Sequence, residues 1–189
     1  MWEILRRSLV RGVQTGRAAA EPPPGVARVA VPPAAEAEIL GEALREEARR
    51  LFGRSMRLRH VDAGSCNACE GELLALLGPF HDLQRFGLDV VASPRHADAL
   101  LVTGPPARHL EEALRLTVEA APRPRLVIAV GDCACDGGFC RESFAVRPGV
   151  AAVLPVDVRI PGCPPAPAEI LRALLAGLGR AAVLDAARG

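Results

Sequence analysis

The sequence predicts a doubly wound α/β domain with a parallel sheet, preceded by an N-terminal helical arm. Two observations predict this fold class. Short, continuous apolar runs recur through residues 56–180, and helical patterns separate one run from the next. Strands that helices cover on both faces have this continuous apolar character, as in all-parallel sheets. The alternation of strands and helices indicates a flavodoxin-like arrangement of the domain.

Five strands and three helices are predicted within residues 56–180. The strands are predicted at residues 58–61, 88–91, 99–102, 126–130 and 156–160. The helices are predicted at residues 70–77, 107–120 and 166–178. We expect residues 181–189 to form a C-terminal tail. Hydrophobic residues make up 50% of the 189 residues, so the domain has a real core and needs no cysteine staples.

The N-terminal segment carries a helical pattern. Trp2, Leu5, Leu9 and Val13 recur at spacings of three and four, which predicts one apolar face of an amphipathic helix in residues 1–20. Such a helix rests on a membrane interface or in the groove of a partner. The alternative is a helix that packs on its own domain.

The same segment raises the question of export. Arg6 and Arg7 resemble the start of a twin-arginine signal, which requires an apolar stretch of about 7–15 residues next. Arg11 interrupts that stretch, so we expect the chain to stay in the cytoplasm. No apolar run reaches the roughly 18 residues that a membrane span needs. We therefore expect a peripheral position on the cytoplasmic side of the cell membrane.

Residues 21–55 combine a proline-rich linker with a charged helix. Pro22, Pro23 and Pro24 begin the linker, and the helix is predicted at residues 35–52. Such an arm either wraps a partner subunit or covers its own domain. The net charge of +1 gives no support for nucleic-acid binding.

Four cysteines follow predicted strands and are the candidate metal ligands. Cys66 and Cys69 form a C-x-x-C motif after the first strand, while Cys133 and Cys163 each follow a later strand. The carboxyl ends of parallel strands lie along one edge of an open sheet, where ligands bind. We therefore expect these four thiols to converge although they are far apart in the chain.

Converging thiolates suit an iron–sulfur cluster or zinc. One close pair joined by two lone cysteines favours a cluster, because structural zinc usually takes two close pairs. A dithiol redox site at C-x-x-C is a further alternative, but it leaves Cys133 and Cys163 unused. Cys135 and Cys140 are interpreted as spare thiols, with Cys135 a possible substitute for Cys133. No histidine is assigned a role.

Three motifs together resemble one protein family. They are VDAGSCNACE at residues 61–70, GDCA at residues 131–134 followed by Gly137 and Gly138, and PGCPP at residues 161–165. This series resembles the B-type subunit of respiratory complex I and the small subunits of [NiFe] hydrogenases. The resemblance covers most of residues 56–178. The C-x-x-C spacing and the short chain are most similar to the compact small subunit of membrane-bound, complex I-like hydrogenases, including the formate hydrogenlyase type.

The resemblance implies one [4Fe-4S] cluster, carried over onto Cys66, Cys69, Cys133 and Cys163. It also implies an electron-transfer subunit of an oxidoreductase, with no catalytic residue on this chain. The implied partners are a hydrogenase large subunit or its complex I counterpart, a ferredoxin-like iron–sulfur subunit and membrane subunits. The alternative within the family is a B-type subunit of an NADH-quinone oxidoreductase, which passes electrons to quinone.

Overall fold

The computed structural model describes residues 34–186, and side chains within residues 38–178. The predicted amphipathic helix of residues 1–20 lies outside the described residues, as do residues 21–33 of the linker and residues 187–189. In the described part, no helix is long and apolar enough to cross a bilayer.

Strands and helices alternate along the described chain. The strands are β1 (Met56–Asp62), β2 (Leu88–Val90), β3 (Ala99–Thr103), β4 (Leu126–Val130) and β5 (Val158–Ile160). The α-helices are α1 (Ala34–Phe52), α2 (Ala68–Leu77), α3 (Glu111–Ala120), α4 (Asp132–Asp136) and α5 (Pro167–Ala186). All pairings are parallel, in the order β2-β1-β3-β4-β5. This order confirms the predicted doubly wound, flavodoxin-like sheet.

The sheet has an apolar layer on each face. Strands β3 and β4 are buried at every position, as their continuous apolar sequences predict. Leu58 and Ile128 pack with α1 and α5 on one face. On the opposite face, Leu100 and Val127 pack with α3. Both faces are therefore covered, which leaves the ends of the strands as the places where a ligand can approach.

The charged helix α1 contributes to the core of its own domain. Leu44 and Ala48 are fully buried in the same cluster as Ile170 and Leu174 of α5. Ile39, nearer the start of the helix, is 70% exposed. Of the two roles predicted for this arm, packing on its own domain is the one these contacts show.

Two elements begin later than the sequence pattern predicts. Residues predicted at their starts form contacts in the preceding loops instead. Strand β5 begins at Val158 rather than at residue 156. The N–H of Asp157 donates to the carbonyl oxygen of Val127, and the carboxylate of Asp157 accepts from the N–H of Val127. Helix α3 begins at Glu111 rather than at residue 107. The backbone of Ala107 bridges to Val146 instead of entering the helix.

Helix α5 is longer than predicted and continues to Ala186. The sequence pattern predicts a tail from residue 181, but the helix includes residues 181–186. The apolar pattern that predicts this helix ends near Leu178, and the alanine residues that follow have a high helix propensity.

Candidate metal centre

The four predicted ligands lie at the same edge of the sheet. Cys66 is in the loop after β1, and Cys69 is the second residue of α2. Cys133 is the second residue of α4, which follows β4 after a single glycine. Cys163 lies in the loop between β5 and α5. Because the strands are parallel, these loops share the carboxyl edge of the sheet.

The three loops meet at Gly131. This residue has a φ of +90°, and a Cβ added there would lie 2.5 Å from the Sγ of Cys69. The same Cβ would lie 3.4 Å from the carbonyl oxygen of Gly162, the residue before Cys163. Gly131 in turn stands two residues before Cys133. A side chain at this position would occupy the space in which the three cysteine loops approach one another.

The loop that carries Cys66 is held by the carboxylate at the end of β1. Asp62 Oδ1 accepts hydrogen bonds from the backbone N–H groups of Gly64, at 2.8 Å, and Ser65, at 2.7 Å. Burial is the largest influence on Asp62 and opposes its ionisation, but these hydrogen bonds, the Ser65 side chain and His60 together lower its pKa. Asn67, between the cysteines, adopts a left-handed conformation with a φ of 69° and begins α2. This turn places Cys66 just before α2 and Cys69 within its first turn.

The thiols influence each other electrostatically. The pKa of Cys69 is raised to about 11, chiefly by burial and then by the thiols of Cys66, Cys133 and Cys163. Burial is also the largest cause of the raised pKa of Cys133, followed by Cys163 and Cys140. All of these cysteines are free. Several thiolates in one place repel one another, and a bound cationic metal group would offset that repulsion.

The number and type of donors fit an iron–sulfur cluster. A [4Fe-4S] cluster takes four cysteine thiolates. Within residues 38–178, no three His, Cys, Asp or Glu side chains are arranged to hold a single metal ion. A cubane makes a different geometric demand, because each iron takes its own cysteine and the ligands surround a group wider than one ion. The absence of a side chain at Gly131 allows the loops that carry these cysteines to approach closely.

The sequence matches a known family over this same region. The family described as the 20 kDa subunit of NADH ubiquinone oxidoreductase matches residues 66–177, which is more than half of the chain. The match begins at Cys66 and includes the other three candidate ligands. The chain belongs to this family. Its members are subunits of oxidoreductase complexes, which confirms the predicted enzyme class and the predicted resemblance.

Relatives of this chain come from different complexes. A probable membrane-bound hydrogenase subunit of Pyrococcus furiosus is 44% identical over 133 residues, covering 70% of this chain and 80% of the relative. The B-type subunit of the NADH-quinone oxidoreductase of Desulfovibrio desulfuricans is 46% identical over 99 residues, covering 52% of this chain and 54% of the relative. This chain therefore spans about half of the length of that second relative.

A solved structure shares the fold of this chain. A chain in the structure of the membrane-bound sulfane sulfur reductase, an archaeal respiratory membrane complex, aligns with a TM-score of 0.56 and 31% identity. The alignment covers 74% of this chain and 73% of that one. Relatives of this chain thus occur in membrane complexes with more than one named activity.

The two additional cysteines lie in different surroundings. The Sγ of Cys135 is 3.7 Å from the carbonyl oxygen of Ala129 and donates a hydrogen bond to it. Cys135 packs against the core layer that contains α3, and burial raises its pKa to about 11. Cys69 packs against the opposite layer. Helix α4 therefore directs Cys133 and Cys135 differently, whereas Cys140 is near enough to Cys133 to affect its pKa.

One polar group beside the site was not predicted. His60 Nε2 is 2.9 Å from Thr103 Oγ1 and 3.4 Å from Glu70 Oε1. Burial lowers the pKa of His60, although Glu70 partly opposes this shift. The signal in the sequence was the position of His60 within β1, two residues from the carboxyl end of that strand. The structure brings its side chain close to Glu70 in the first turn of α2, and we assign it no catalytic role.

Proposed function

We propose that this chain binds one [4Fe-4S] cluster through Cys66, Cys69, Cys133 and Cys163 and acts as an electron-transfer subunit. The observation that carries the proposal is the meeting of the three cysteine loops at Gly131, where a side chain would collide with Cys69. Thiols held together at the ligand-binding edge of a doubly wound sheet, where their thiolate forms would repel one another, are explained by a shared metal group.

The residues of the chain have three tasks in this proposal. A bound cluster supplies a one-electron redox couple. The four cysteines hold it, Asp62 orders the loop of the first pair, and the covered faces of the sheet keep water from its inner side. Burial and hydrogen bonds set the potential at which the electron is accepted. The substrate chemistry belongs to the partner subunit.

The surface beside the cysteines suits a protein partner. Phe139 and Phe144 are 79% and 87% exposed, and both lie in the segment that follows Cys133. This segment is anchored, because the N–H of Arg108 donates to the carbonyl of Ala145 and the side chain of Arg147 pairs with Glu111. Exposed aromatic residues on a fixed loop are typical of docking sites. We place the contact with the large subunit here, so that the cluster lies close to the partner's active site.

The complex in which the subunit works is proposed to be a membrane-bound, complex I-like [NiFe] hydrogenase. The C-x-x-C spacing and the 44% identity to the Pyrococcus furiosus hydrogenase subunit support this branch. The alternative is a B-type subunit of an NADH-quinone oxidoreductase, which the 46% identity to the Desulfovibrio desulfuricans subunit supports. A ferredoxin-like iron–sulfur subunit and membrane subunits are the further partners in the first case.

Metal analysis tests the cluster. The full chain should be purified without oxygen and assayed for iron, sulfide and zinc, with an electron paramagnetic resonance spectrum of the reduced sample. We expect about four irons per chain and a cubane signal. About one zinc per chain with no iron contradicts the proposal and favours a zinc-stabilised scaffold.

Activity of the assembled complex tests the branch. Membranes that contain the complex are assayed for hydrogen evolution or uptake and, separately, for quinone reduction, and the copurifying large subunit is sequenced. The hydrogenase proposal predicts hydrogen turnover and nickel-ligating cysteines in that subunit. Quinone reduction without hydrogen turnover identifies the alternative.

Docking and location are tested in the same preparation. Phe144→Ser should reduce copurification of the large subunit roughly tenfold, since a central aromatic contact contributes more than about 1 kcal/mol. Leu116→Ser, at a position 56% exposed on α3, is the matched control and should have no effect. We propose a peripheral place on the cytoplasmic side of the membrane. Protease added to sealed vesicles of known orientation should reach the chain only from that side.

A further inference from the structure

Asp132 connects the loop of Cys133 with the loop of Cys163, the two cysteine loops that lie far from the C-x-x-C motif along the sequence. Its Oδ1 accepts a hydrogen bond from the backbone N–H of Gly162 at 2.7 Å. Its own N–H donates to the carbonyl oxygen of Gly162 at 2.9 Å. The neighbouring N–H of Gly131 donates to the carbonyl oxygen of Ile160 at 2.7 Å. Asp132, the residue before Cys133, thus binds both backbone polar groups of Gly162, the residue before Cys163. It does so through its side-chain carboxylate and its backbone N–H.

The position of Gly162 makes a side-chain acceptor necessary. Its φ of +134° favours glycine, and a Cβ there would lie 2.6 Å from the Cα of Pro165. Gly162 follows the last paired residue of β5, Ile160, and its N–H donates to the Asp132 carboxylate. A carboxylate that reaches across from α4 satisfies this donor, and a charged acceptor forms a stronger hydrogen bond than a neutral one.

The carboxylate also lies close to the candidate ligands. Asp132 directly precedes Cys133, and its Oδ1 lies 2.7 Å from the backbone nitrogen of Gly162, which directly precedes Cys163. Asp132 is half-buried, so water screens its charge only in part. Its charge therefore acts at the cysteine site.

We propose that Asp132 is a positioning residue with two separable effects on the cluster. Its acceptor oxygen fixes the loop of Cys163 against the loop of Cys133, and its negative charge lowers the reduction potential of the cluster. Reduction adds one negative charge to the cluster, and a fixed carboxylate nearby opposes that addition. This inference rests on the proposed function, because it requires the cluster to be bound.

Two substitutions separate the effects. Asp132→Asn keeps an oxygen that can accept from Gly162 but removes the charge. We expect it to retain the wild-type iron content and to show a midpoint potential shifted upward in a redox titration followed by electron paramagnetic resonance. Asp132→Ala removes both the acceptor and the charge. We expect it to lose most of its iron, because the loop of Cys163 is no longer fixed.

Asp157→Asn is the matched control. Asp157 also accepts a backbone N–H across the same two strands, from Val127 at 2.8 Å, but before β5 begins rather than after it ends. We expect wild-type iron content and an unchanged potential. All variants are made in the full chain, prepared without oxygen, and checked for folding by circular dichroism.

Each part of the proposal has its own contrary result. An unchanged potential in Asp132→Asn at full iron content overturns the charge effect. Wild-type iron content in Asp132→Ala overturns the positioning effect. A folded Asp132→Asn variant without iron shows that the two effects are not separable. If the wild-type chain itself holds no iron, the proposed function fails, and this outcome is distinct from the other three.

Discussion

The ionisable groups at the two edges of the sheet have opposite surroundings. At the amino edge, Asp98 is only 8% exposed, and its carboxylate accepts hydrogen bonds from the N–H of Arg57 and both terminal nitrogens of Arg54. At the carboxyl edge, Cys69 and Cys133 are affected chiefly by burial and by other thiols, both of which oppose ionisation. The first arrangement satisfies a buried charge within the chain. The second brings together thiols that each oppose the ionisation of the others.

This difference separates the groups that stabilise the fold from the groups that are suited to bind a ligand. A carboxylate with complete hydrogen bonding stabilises the fold and needs nothing from outside. Crowded, half-buried thiols have raised pKa values, so their thiolate forms are disfavoured unless a metal group binds them, and such arrangements mark functional sites. Substitutions at the amino edge should therefore change stability, whereas substitutions at the carboxyl edge should change cluster binding. Three predictions test this comparison.

The largest effect is expected from the loss of one ligand. Cys163→Ala removes the sulfur that the loop after β5 contributes, and we expect the iron content to fall from about four per chain to background. Electron transfer in the complex should be lost with it. Iron analysis and electron paramagnetic resonance measure the change. Activity that survives intact points instead to a dithiol reductase built on C-x-x-C alone.

Cys135→Ala is the control for that variant. Cys135 donates to the carbonyl of Ala129 and packs in the layer of α3, so its removal should leave the cluster in place. Cys133→Ala should behave like Cys163→Ala. The reverse pattern, with iron retained in Cys133→Ala and lost in Cys135→Ala, assigns the third ligand to Cys135.

The sequence was sufficient to predict the sheet and its edge, because both depend on local signals. Continuous apolar runs such as β4 are strands that helices cover on both faces, and the connecting helices require parallel pairing. Once the strands are parallel, the loops after β1, β4 and β5 must share an edge. The cysteines in those loops were therefore predicted to converge without knowledge of any side-chain position.

Other features depend on contacts between distant loops and could not be predicted in this way. Helix α4 has only five residues, too few for a periodic pattern, yet it turns Cys133 and Cys135 in different directions. The start of α3 is set by the bridge between Ala107 and Val146, which belong to separate loops. The hydrogen bond from Gly162 to Asp132 likewise joins residues 30 positions apart. Such pairs follow from the fold and leave no local signal.

A smaller effect on the cluster is expected when Gly131 becomes Ala. Both the positive φ and the 2.5 Å approach to Cys69 Sγ oppose a side chain, so Cys69 must move from its place. Gly53→Ala is the matched control, since Gly53 has a φ of +63° but no heavy atom within 4 Å of an added Cβ. Each variant should lose about 1–3 kcal/mol through backbone strain, with Gly131→Ala the more strained because its φ of 90° and ψ of 157° lie in a region that is essentially restricted to glycine. Only Gly131→Ala should also lose iron, at a rate measured by chelator challenge, and equal loss in both variants contradicts the role given to this contact.

The smallest effect on the cluster, namely none, is expected at the amino edge. Asp98→Ala leaves the half-buried N–H of Arg57 without its carboxylate partner, and we expect a cost toward the lower end of the roughly 1–3 kcal/mol for an unsatisfied buried donor. The Arg54 side chain is 43% exposed, so water replaces most of what its ion pair contributes. Urea unfolding of matched preparations should show the lower stability, with iron per chain unchanged. The contrary result is a loss of iron from Asp98→Ala at an unchanged unfolding midpoint. That result would show that the amino edge also controls cluster binding, so the two edges would not have separate roles.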